Sequence, residues 1–469
     1  MIDTQALRQK VLELAIRGKL TEQLPEDGTA EELYAKIQEE KQTLIKEGKI
    51  KKEKPLPPIA EDEIPFAVPQ NWKWVRIGSV FTLKAGKNIA ASLIHDIESE
   101  DYCYPCFGGN GLRGYVNQTN VSGLHALIGR QGALCGNINF ADGDFYATEH
   151  AIVVNEYSEK TDTKWSGLTL KTLNLNQYAT SVAQPGLAVN KIEKVVMPLP
   201  PLAEQKRIVE KIESIFVVLD KIDLLQSEYV NNLSALKTKI IEAGIQGKLT
   251  EQLPEDGTAE ELFEKIQEER KRQIEIGIIK RVDLLPELVD SEMAFQVPDS
   301  WKWFPLGNIS YIVRGGSPRP IKQYITADEN GVNWIKIGDV EKGGKYIYAT
   351  EEKIRPEGEK KSRRVYPGDF LLTNSMSFGR PYITKIEGCI HDGWLLIRNL
   401  DGFDIDYLYY LLSSQFLFNQ FSDKASGSTV TNLNIDKVKS AAIPLPPLAE
   451  QKRIVAKLDA VLSILDARR

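Results

Sequence analysis

Cysteine is scarce in this chain. Four cysteines among 469 residues cannot make a disulfide framework for a protein of this size. Cys103-Tyr-Pro-Cys106 is a lone CxxC, and Cys135 with His125 or His150 could complete a zinc set only in principle, because one pair without a second is weak evidence for metal. Small buried thiols are the expected role; Cys389 and His391 suggest nothing metallic, and no metal ligand is assigned. Long apolar runs are also missing. No stretch of about 18 apolar residues occurs, and the N-terminus MIDTQALRQK is polar. Neither a membrane span nor a signal peptide is therefore expected, and the expected location is the cytoplasm. Catalytic signatures are wanting too. Gly244-Ile-Gln-Gly247-Lys248-Leu-Thr250 is vaguely like a phosphate loop, but it lacks the four-residue gap before Gly-Lys and follows a helix, so it reads as a helix terminus. No Asn/Asp-Pro-Pro-aromatic motif of an amino-methyltransferase is present.

What is present is ordinary in composition, 42% hydrophobic and 26% charged, with room for two or three domains. The net charge of −6 argues at first against a nucleic-acid partner, but its distribution is uneven. Lys+Arg against Asp+Glu is 11 to 14 over residues 1–64 and 13 to 20 over 198–293, whereas it is 11 to 11 over 65–197 and 19 to 17 over 294–443. The acid sits outside two neutral or slightly basic blocks, which permits DNA binding by local patches without demanding it.

The chain repeats itself. Pro198 to Val209 (PLPPLAEQKRIV) recurs letter for letter at Pro444 to Val455, and Gly18 to Leu33 (GKLTEQLPEDGTAEEL) recurs at Gly247 to Leu262. Repeats this long rarely arise by chance. From Leu202 to about Gln246 apolar residues return every three or four positions, at Val209, Ile212, Phe216, Leu219, Leu236 and Ile240 among others. That stripe predicts one helix of about 65 Å with a sticky seam, which needs a second rod to pack on. Val455, Leu458, Leu462 and Leu465 continue the C-terminal repeat, and Leu7 and Val11 match Leu236 and Ile240, so the two ends of the chain together nearly rebuild a second copy of the rod. The near closure of Met1 on Arg469 leads to the expectation that Arg469 is a natural end. The predicted fold class is α+β: two mixed α/β domains separated by a long antiparallel two-helix coiled coil, with pseudo-twofold circular organisation.

The boundaries follow. Residues 1–64 hold a short helix ended by Gly18 and, after a Thr29-Ala-Glu-Glu capping box, a second helix to about Glu47. Residues 65–197 form a first block opening near Trp72-Lys-Trp, 198–293 the central helix and linker, 294–443 a second block opening near Trp301-Lys-Trp, and 444–469 the closing helix. The blocks carry short strands and a few helices, one expected over Asp406 to Gln420. Their landmarks align while their interiors do not.

The doubled PLPPLAEQKRIV before a long helix, the doubled Gly-Lys-Leu-Thr and the two divergent blocks resemble the specificity (S) subunit of type I restriction-modification enzymes, over essentially the whole chain. The resemblance implies that the blocks are target recognition domains, each reading half of a bipartite, asymmetric site on double-stranded DNA. It implies that the helices set the spacer and dock two DNA methyltransferase (M) subunits, and that motor-nuclease (R) subunits complete the restricting complex. It further implies a noncatalytic chain, with S-adenosylmethionine, ATP and Mg on partner subunits. Alternatives are a coiled-coil adaptor that binds only proteins, or an enzyme with its active site in one divergent block. For base reading, Arg, Lys, Asn, Gln and Ser on Gly-rich loops are the useful residues. In the first block Lys87, Asn88, Asn110, Arg113, Arg130 and Gln131 fit. In the second, Arg314, Ser317, Arg319, Lys336, Asn374, Ser375, Ser377 and Arg380 do.

Overall fold

The computed structural model describes all residues except 53, 133, 158–159, 181–185, 342, 375–378, 424–432 and 468–469. The chain divides into two compact units, Met1–Ser227 and Glu228–Arg469.

In the first unit α1 (Thr4–Ile16) starts where the Asp3 carboxylate accepts from the Ala6 N–H at 3.0 Å. It stops at Gly18, whose φ of +66° is the left-handed geometry that closes a helix. Helix α2 (Ala30–Lys46) begins on the capping box, with Thr29 and Glu32 exchanging side-chain to backbone hydrogen bonds of 3.3 Å. The block that follows comprises β1 (Lys73–Arg76), α3 (Ile77–Val80), β2 (Thr82–Ala85), β3 (Tyr104–Gly108), β4 (Gly111–Val116), β5 (Val121–Ser122), β6 (His125–Gly129), β7 (Ile138–Ala141), β8 (Asp144–Ala147), β9 (Ala151–Asn155), α4 (Thr163–Thr172), α5 (Val189–Ile192) and β10 (Val196–Leu199). Strands β1 and β10 pair antiparallel, Lys73 opposite Leu199, and so close the block at its root. Its interior holds two sheets, ordered β2-β9-β6-β7 and β4-β3-β8-β5, the second with β3 and β8 parallel.

From β10 the chain enters α6 (Leu202–Ile245), one helix as the stripe predicts. The second unit then repeats the plan with α7 (Ala259–Glu275), β11 (Lys302–Pro305), α8 (Leu306–Ile309), β12 (Ser310–Arg314), β13 (Ile325–Thr326), β14 (Val332–Ile335), β15 (Tyr346–Ile347), β16 (Glu352–Ile354), β17 (Arg364–Val365), β18 (Phe370–Thr373), β19 (Pro381–Thr384), β20 (Gly388–Ile390), β21 (Trp394–Asn399), α9 (Ile405–Ser413), α10 (Gln415–Asp423), α11 (Ile435–Lys439), β22 (Ala442–Leu445) and α12 (Leu448–Ala467). Strand β11 pairs with β22, Lys302 opposite Leu445. The two interior sheets run β12-β21-β18-β19-β15 and β13-β16-β14-β20-β17, with β14 and β20 parallel. Apart from the added edge strands β13 and β15, these are the strand orders of the first unit. Blocks whose sequences do not align thus share one topology.

The expected helix over Asp406 to Gln420 is two helices, because Ser414 is extended and serves as a cap: its Oγ donates to Leu411 O at 2.6 Å and accepts from the Leu417 N–H at 3.2 Å.

Each unit buries the start of its long helix in a core. In the first, Ile208, Val209 and Ile212 join Trp72 and Trp165, with Val11 and Phe216 packed at the edge and Leu219 also buried. In the second, Ile454, Val455 and Leu458 join Trp301 and Phe370, with Ile240 and Leu462 at the edge and Leu465 half-buried. Leu7 and Leu236 depart from the expected seam, at 43% and 45% exposure. In α1 the buried stripe follows Thr4, Leu12 and Ala15, which leaves Leu7 at its margin. Polar contacts take the place Leu7 was expected to fill: Thr4 Oγ1 donates to Asp223 at 2.5 Å, and Arg8 bridges Asp220 at 2.8 Å and Asp223 at 3.0 Å.

The repeated letters have repeated jobs. Glu204, in the first turn of α6, is fully buried and accepts from Trp72 Nε1 (2.8 Å), Gln23 Nε2 (2.9 Å) and Thr21 Oγ1 (3.1 Å). Glu450 does the same for Trp301 (2.8 Å), Gln252 (2.8 Å) and Thr250 (2.9 Å). Buried Gln205 accepts from the N–H of Asp162, the N-cap of α4, and Gln451 from that of Asp404, the N-cap of α9. Arg207 forks onto Asp27, and Arg453 onto Asp256. Gly247, with φ +70°, ends α6 as the terminus reading requires.

Replacing Glu204 by Ala strands the buried Trp72 indole N–H and takes the acceptor from the partly exposed Thr21 hydroxyl and Gln23 amide, and a hydrogen bond to a charged group is worth about 1.5–3 kcal/mol. Urea unfolding followed by tryptophan fluorescence is expected to show a loss of about 3 kcal/mol in Glu204→Ala and a smaller one in Glu204→Gln. Glu156, following β9, gives a pH signature. Burial pushes its carboxyl up to about 6, only partly relieved by its own backbone N–H, His125, Ser166 and Thr163. That raised value means its contribution to stability is complete below about pH 4.5 and is lost as pH climbs through 6. Glu156→Gln is therefore expected to stabilise the chain by up to about 2 kcal/mol near pH 8 and by little near pH 4.5, read from melting temperatures at the two pH values.

Candidate nucleic-acid interface

In the first unit the Gly-rich loops gather where β2, β6 and β9 meet. The Gly86 N–H donates to Ala151 O, Lys87 N–H to Ala147 O and Arg130 N–H to His150 O. Gly86 is required there, because a Cβ would stand 2.2 Å from Ala147 O; Gly315 meets His391 O at 2.1 Å in the corresponding crossing of the second unit. A cleft of about 830 Å³ opens beside these crossings, with Asn110, Arg113, Gln131, His150 and Thr180 on a glycine-rich wall. Three of the six expected residues are thus brought together. Arg113 and Gln131 are exposed, as are Lys87 and Asn88, which leave β2 alongside Thr148. Arg130 is half-buried and turns back to donate to Glu149 O at 3.3 Å.

In the second unit Asp392 is the organiser. Its carboxylate accepts from Ser317 Oγ at 3.1 Å and Arg319 Nη2 at 3.2 Å, lies 3.0 Å from His391 Nε2, and its carbonyl accepts from Arg314 Nε at 3.2 Å. Burial would push this carboxyl up, but His391, Ser317 and Arg319 outweigh it and hold it below the usual range. Arg319 and His391 flank a cleft of about 740 Å³ with Ser317 and Lys322. Guanidinium groups suit guanine, and a carboxylate can accept from the cytosine amino group, so this loop offers both kinds of partner to a base edge.

The other expected residues of this block are dispersed. Lys336 is half-buried and paired with Glu352 at 3.2 Å. Asn374 is 1% exposed, so its side chain is not offered to an outside ligand. It follows β18 at the point where its N–H must pair with Gly393 O, and that pairing carries it inward. Arg380 is exposed, in a separate cleft of about 680 Å³ with Tyr382 and Tyr409. Ser375 and Ser377 lie outside the described residues. His150, Thr180 and Asp392 escape a search for basic and amide residues. Lys360, Lys361 and Arg363, folded beside the 315–324 loop, escape it because no glycine flanks them, although their sequence run is a signal in itself.

Cys103 is exposed, and Cys106, Cys135 and Cys389 are buried and free; burial pushes the three buried thiols up. Among the described residues no group of three or more His, Cys, Asp or Glu is placed to hold a metal ion, and no helix is long and apolar enough to cross a membrane.

Comparison with known proteins agrees with this duplicated plan. The family model for the type I restriction modification DNA specificity domain matches twice, over residues 69–227 and 298–468. The EcoEI specificity subunit of a type I restriction enzyme from Escherichia coli is 25% identical over 98% of this chain and 89% of its own length. The EcoprrI specificity subunit, also from Escherichia coli, is 43% identical over a shorter span, 34% of this chain and 38% of its own. A chain from a solved structure concerned with complex assembly and conformational transition of the type I R-M system shares the fold with a TM-score of 0.55 at 19% identity, covering 86% of this chain and 93% of that one. The doubled match, each half joining a two-sheet block to the helix that follows it, places this chain in the type I restriction modification DNA specificity family.

Proposed function

We propose that each unit reads one half of a bipartite, asymmetric DNA site, and that the chain is the noncatalytic DNA sequence-specificity subunit of a type I restriction-modification complex. The observation that carries this reading is the contrast within the duplication: one strand topology occurs twice on one set of buried contacts, while the loops at the Gly86 and Gly315 crossings carry different side chains, Lys87 and Asn88 on one and Ser317 and Arg319 on the other. Constant scaffold with variable loops is what two readers of different sequences require.

In this reading α6 with α1 and α12 forms the spacer and the seat for two methyltransferase subunits, joined in the restricting complex by motor-nuclease subunits. S-adenosylmethionine, ATP and Mg belong to those partners. Support for a partner on the helix comes from Val217, Val218, Leu224 and Leu225 of α6, each at least 52% exposed. Such a run of exposed apolar side chains marks an interaction surface. The circular, pseudo-twofold arrangement is supported by matching registers: Arg8 pairs with Asp220 in the first unit, and Lys237 pairs with Asp466 at the corresponding position in the second.

Two outcomes test the reading. Inserting about four residues, one helical turn, into 220–240 lengthens α6 by about 6 Å and is expected to change the spacer between methylated half-sites by roughly one or two base pairs, as read by methylome sequencing of a host carrying the complex. An unchanged spacer would remove the helix as ruler. Arg113→Ala and Gln131→Ala are expected to cost about 1–3 kcal/mol at single positions of one half-site and to leave the other half-site as it was. Equal weakening on every sequence would assign those side chains to phosphates instead.

A further inference from the structure

The two units agree in topology and differ in charge at the same place. Leading into β17 the second unit carries Lys360-Lys361-Ser362-Arg363. Leading into β5, which occupies the same sheet position, the first unit carries the uncharged Asn117-Gln118-Thr119-Asn120. Between β2 and β3 the first unit exposes Lys87 with four acids, Asp96, Glu98, Glu100 and Asp101, whereas from the last residue of β12 to β14 the second exposes Arg314, Arg319 and Lys322 with two, Asp328 and Glu329.

A run of charge is most often only a solvated face, but this one is fixed against the reading loop. Ile390 O accepts both from Ser362 Oγ at 3.0 Å and from the Gly316 N–H at 3.2 Å. Lys361 Nζ donates to Tyr324 Oη at 2.7 Å and lies 5.1 Å from the centre of that ring. The approach is close enough that a Cβ on Gly316 would stand 3.0 Å from Lys361 O. Arg364, next in the chain, is neutralised by Glu359 and Glu387. Lys360, Arg363 and Lys322 are exposed and have no carboxylate partner among the described residues. The tethered loops therefore hold a rim of uncompensated cations beside a carboxylate, Asp392, that would repel a phosphate from the cleft itself.

We infer that Lys360, Lys361 and Arg363, with Lys322, grip DNA phosphates along the edge of the second unit and fix its register, leaving the Asp392 loop, Arg319 included, to face the bases. This rests on the DNA-reading role proposed above. Counterion release gives it a specific readout, because each phosphate contact contributes about 0.9 to the slope of log affinity against log salt.

The test uses the full chain assembled with its methyltransferase partner, titrated with salt on a short duplex bearing the methylated motif and on a scrambled one. The triple variant Lys360→Ala/Lys361→Ala/Arg363→Ala is expected to flatten the slope by about 2 to 3 on both duplexes with the methylated motif unchanged. Lys360→Ala alone, which breaks no side-chain bond, is expected to flatten it by about 0.9. The charge-preserving Lys360→Arg/Lys361→Arg/Arg363→Lys is expected to keep the original slope. An unchanged slope in the Ala variants, or a changed motif, overturns the grip while leaving the second unit a reader. A wild-type complex that prefers neither duplex brings down the DNA-reading role and the grip with it.

Discussion

A buried carboxylate in the first turn of a helix holds each unit together. Glu204 and Glu450 are fully buried and accept from an indole, an amide and a hydroxyl, with Arg207 and Arg453 near enough to feel their charge but forked onto other carboxylates, and their place in the first turn sets them at the favourable end of the helix dipole. Such a group is stable only when nearly all of its donors are present, since each one lost leaves a charge or a donor buried without a partner. That condition ties three separate stretches of sequence together: the Gly-Lys-Leu-Thr loop, the tryptophan that opens the block, and the Leu-Ala-Glu-Gln that opens the long helix. The letters that make these contacts, Thr21, Gln23, Trp72 and Glu204, accordingly recur as Thr250, Gln252, Trp301 and Glu450.

The same constraint explains how the blocks between the repeats can differ so widely. Each is closed at its root by one antiparallel pair, β1 with β10 or β11 with β22, and is held to its helix by a glutamine that binds an N-cap. The contacts that tie each block to the helices thus lie outside its variable loops. Sheet order survives because it is set by alternation of apolar residues and by the closing pair, neither of which fixes particular letters. The Gly86 and Gly315 crossings are exceptions, since backbone packed at that distance excludes any side chain.

These features divide what could be read in the sequence from what could not. Helix α6, the Thr29 capping box and the Gly18 and Gly247 terminators were legible because local chemistry decides them. The shared topology of the two blocks was not legible, because strand order depends on pairings far apart in the chain. The break at Ser414 was hidden within a continuous apolar period, which masks a capping serine. Leu7 and Leu236 have seam spacing, yet the stripe they were assigned to is centred elsewhere, and polar pairs such as Arg8 with Asp220 occupy the contact. Among the residues proposed for reading, Asn110, Arg113 and Gln131 share a cleft as glycine-flanked loops suggested, while Asn374 was drawn inward by a backbone pairing that no motif records. Asp392 was invisible for the opposite reason: a lone aspartate carries no signal until three side chains are seen to turn toward it.

Net charge misleads for a chain built this way. At physiological salt a charge is screened over about 8 Å, so acid on the long helices has little influence on a loop that lies farther away than that. What a phosphate meets is the local rim: Lys322, Lys360 and Arg363 on the second unit, against Lys87 and Arg113 on the first, which also exposes Asp96, Glu98, Glu100 and Asp101. Non-specific affinity is almost entirely a phosphate term, whereas discrimination comes from base edges. A chain with more uncompensated cations on one reader than on the other leaves the other less attracted to DNA in general, so that the second half-site contributes to binding chiefly when its bases match. Uneven charge on two similar folds therefore favours a bipartite site over either half alone, and it does so without a net positive protein.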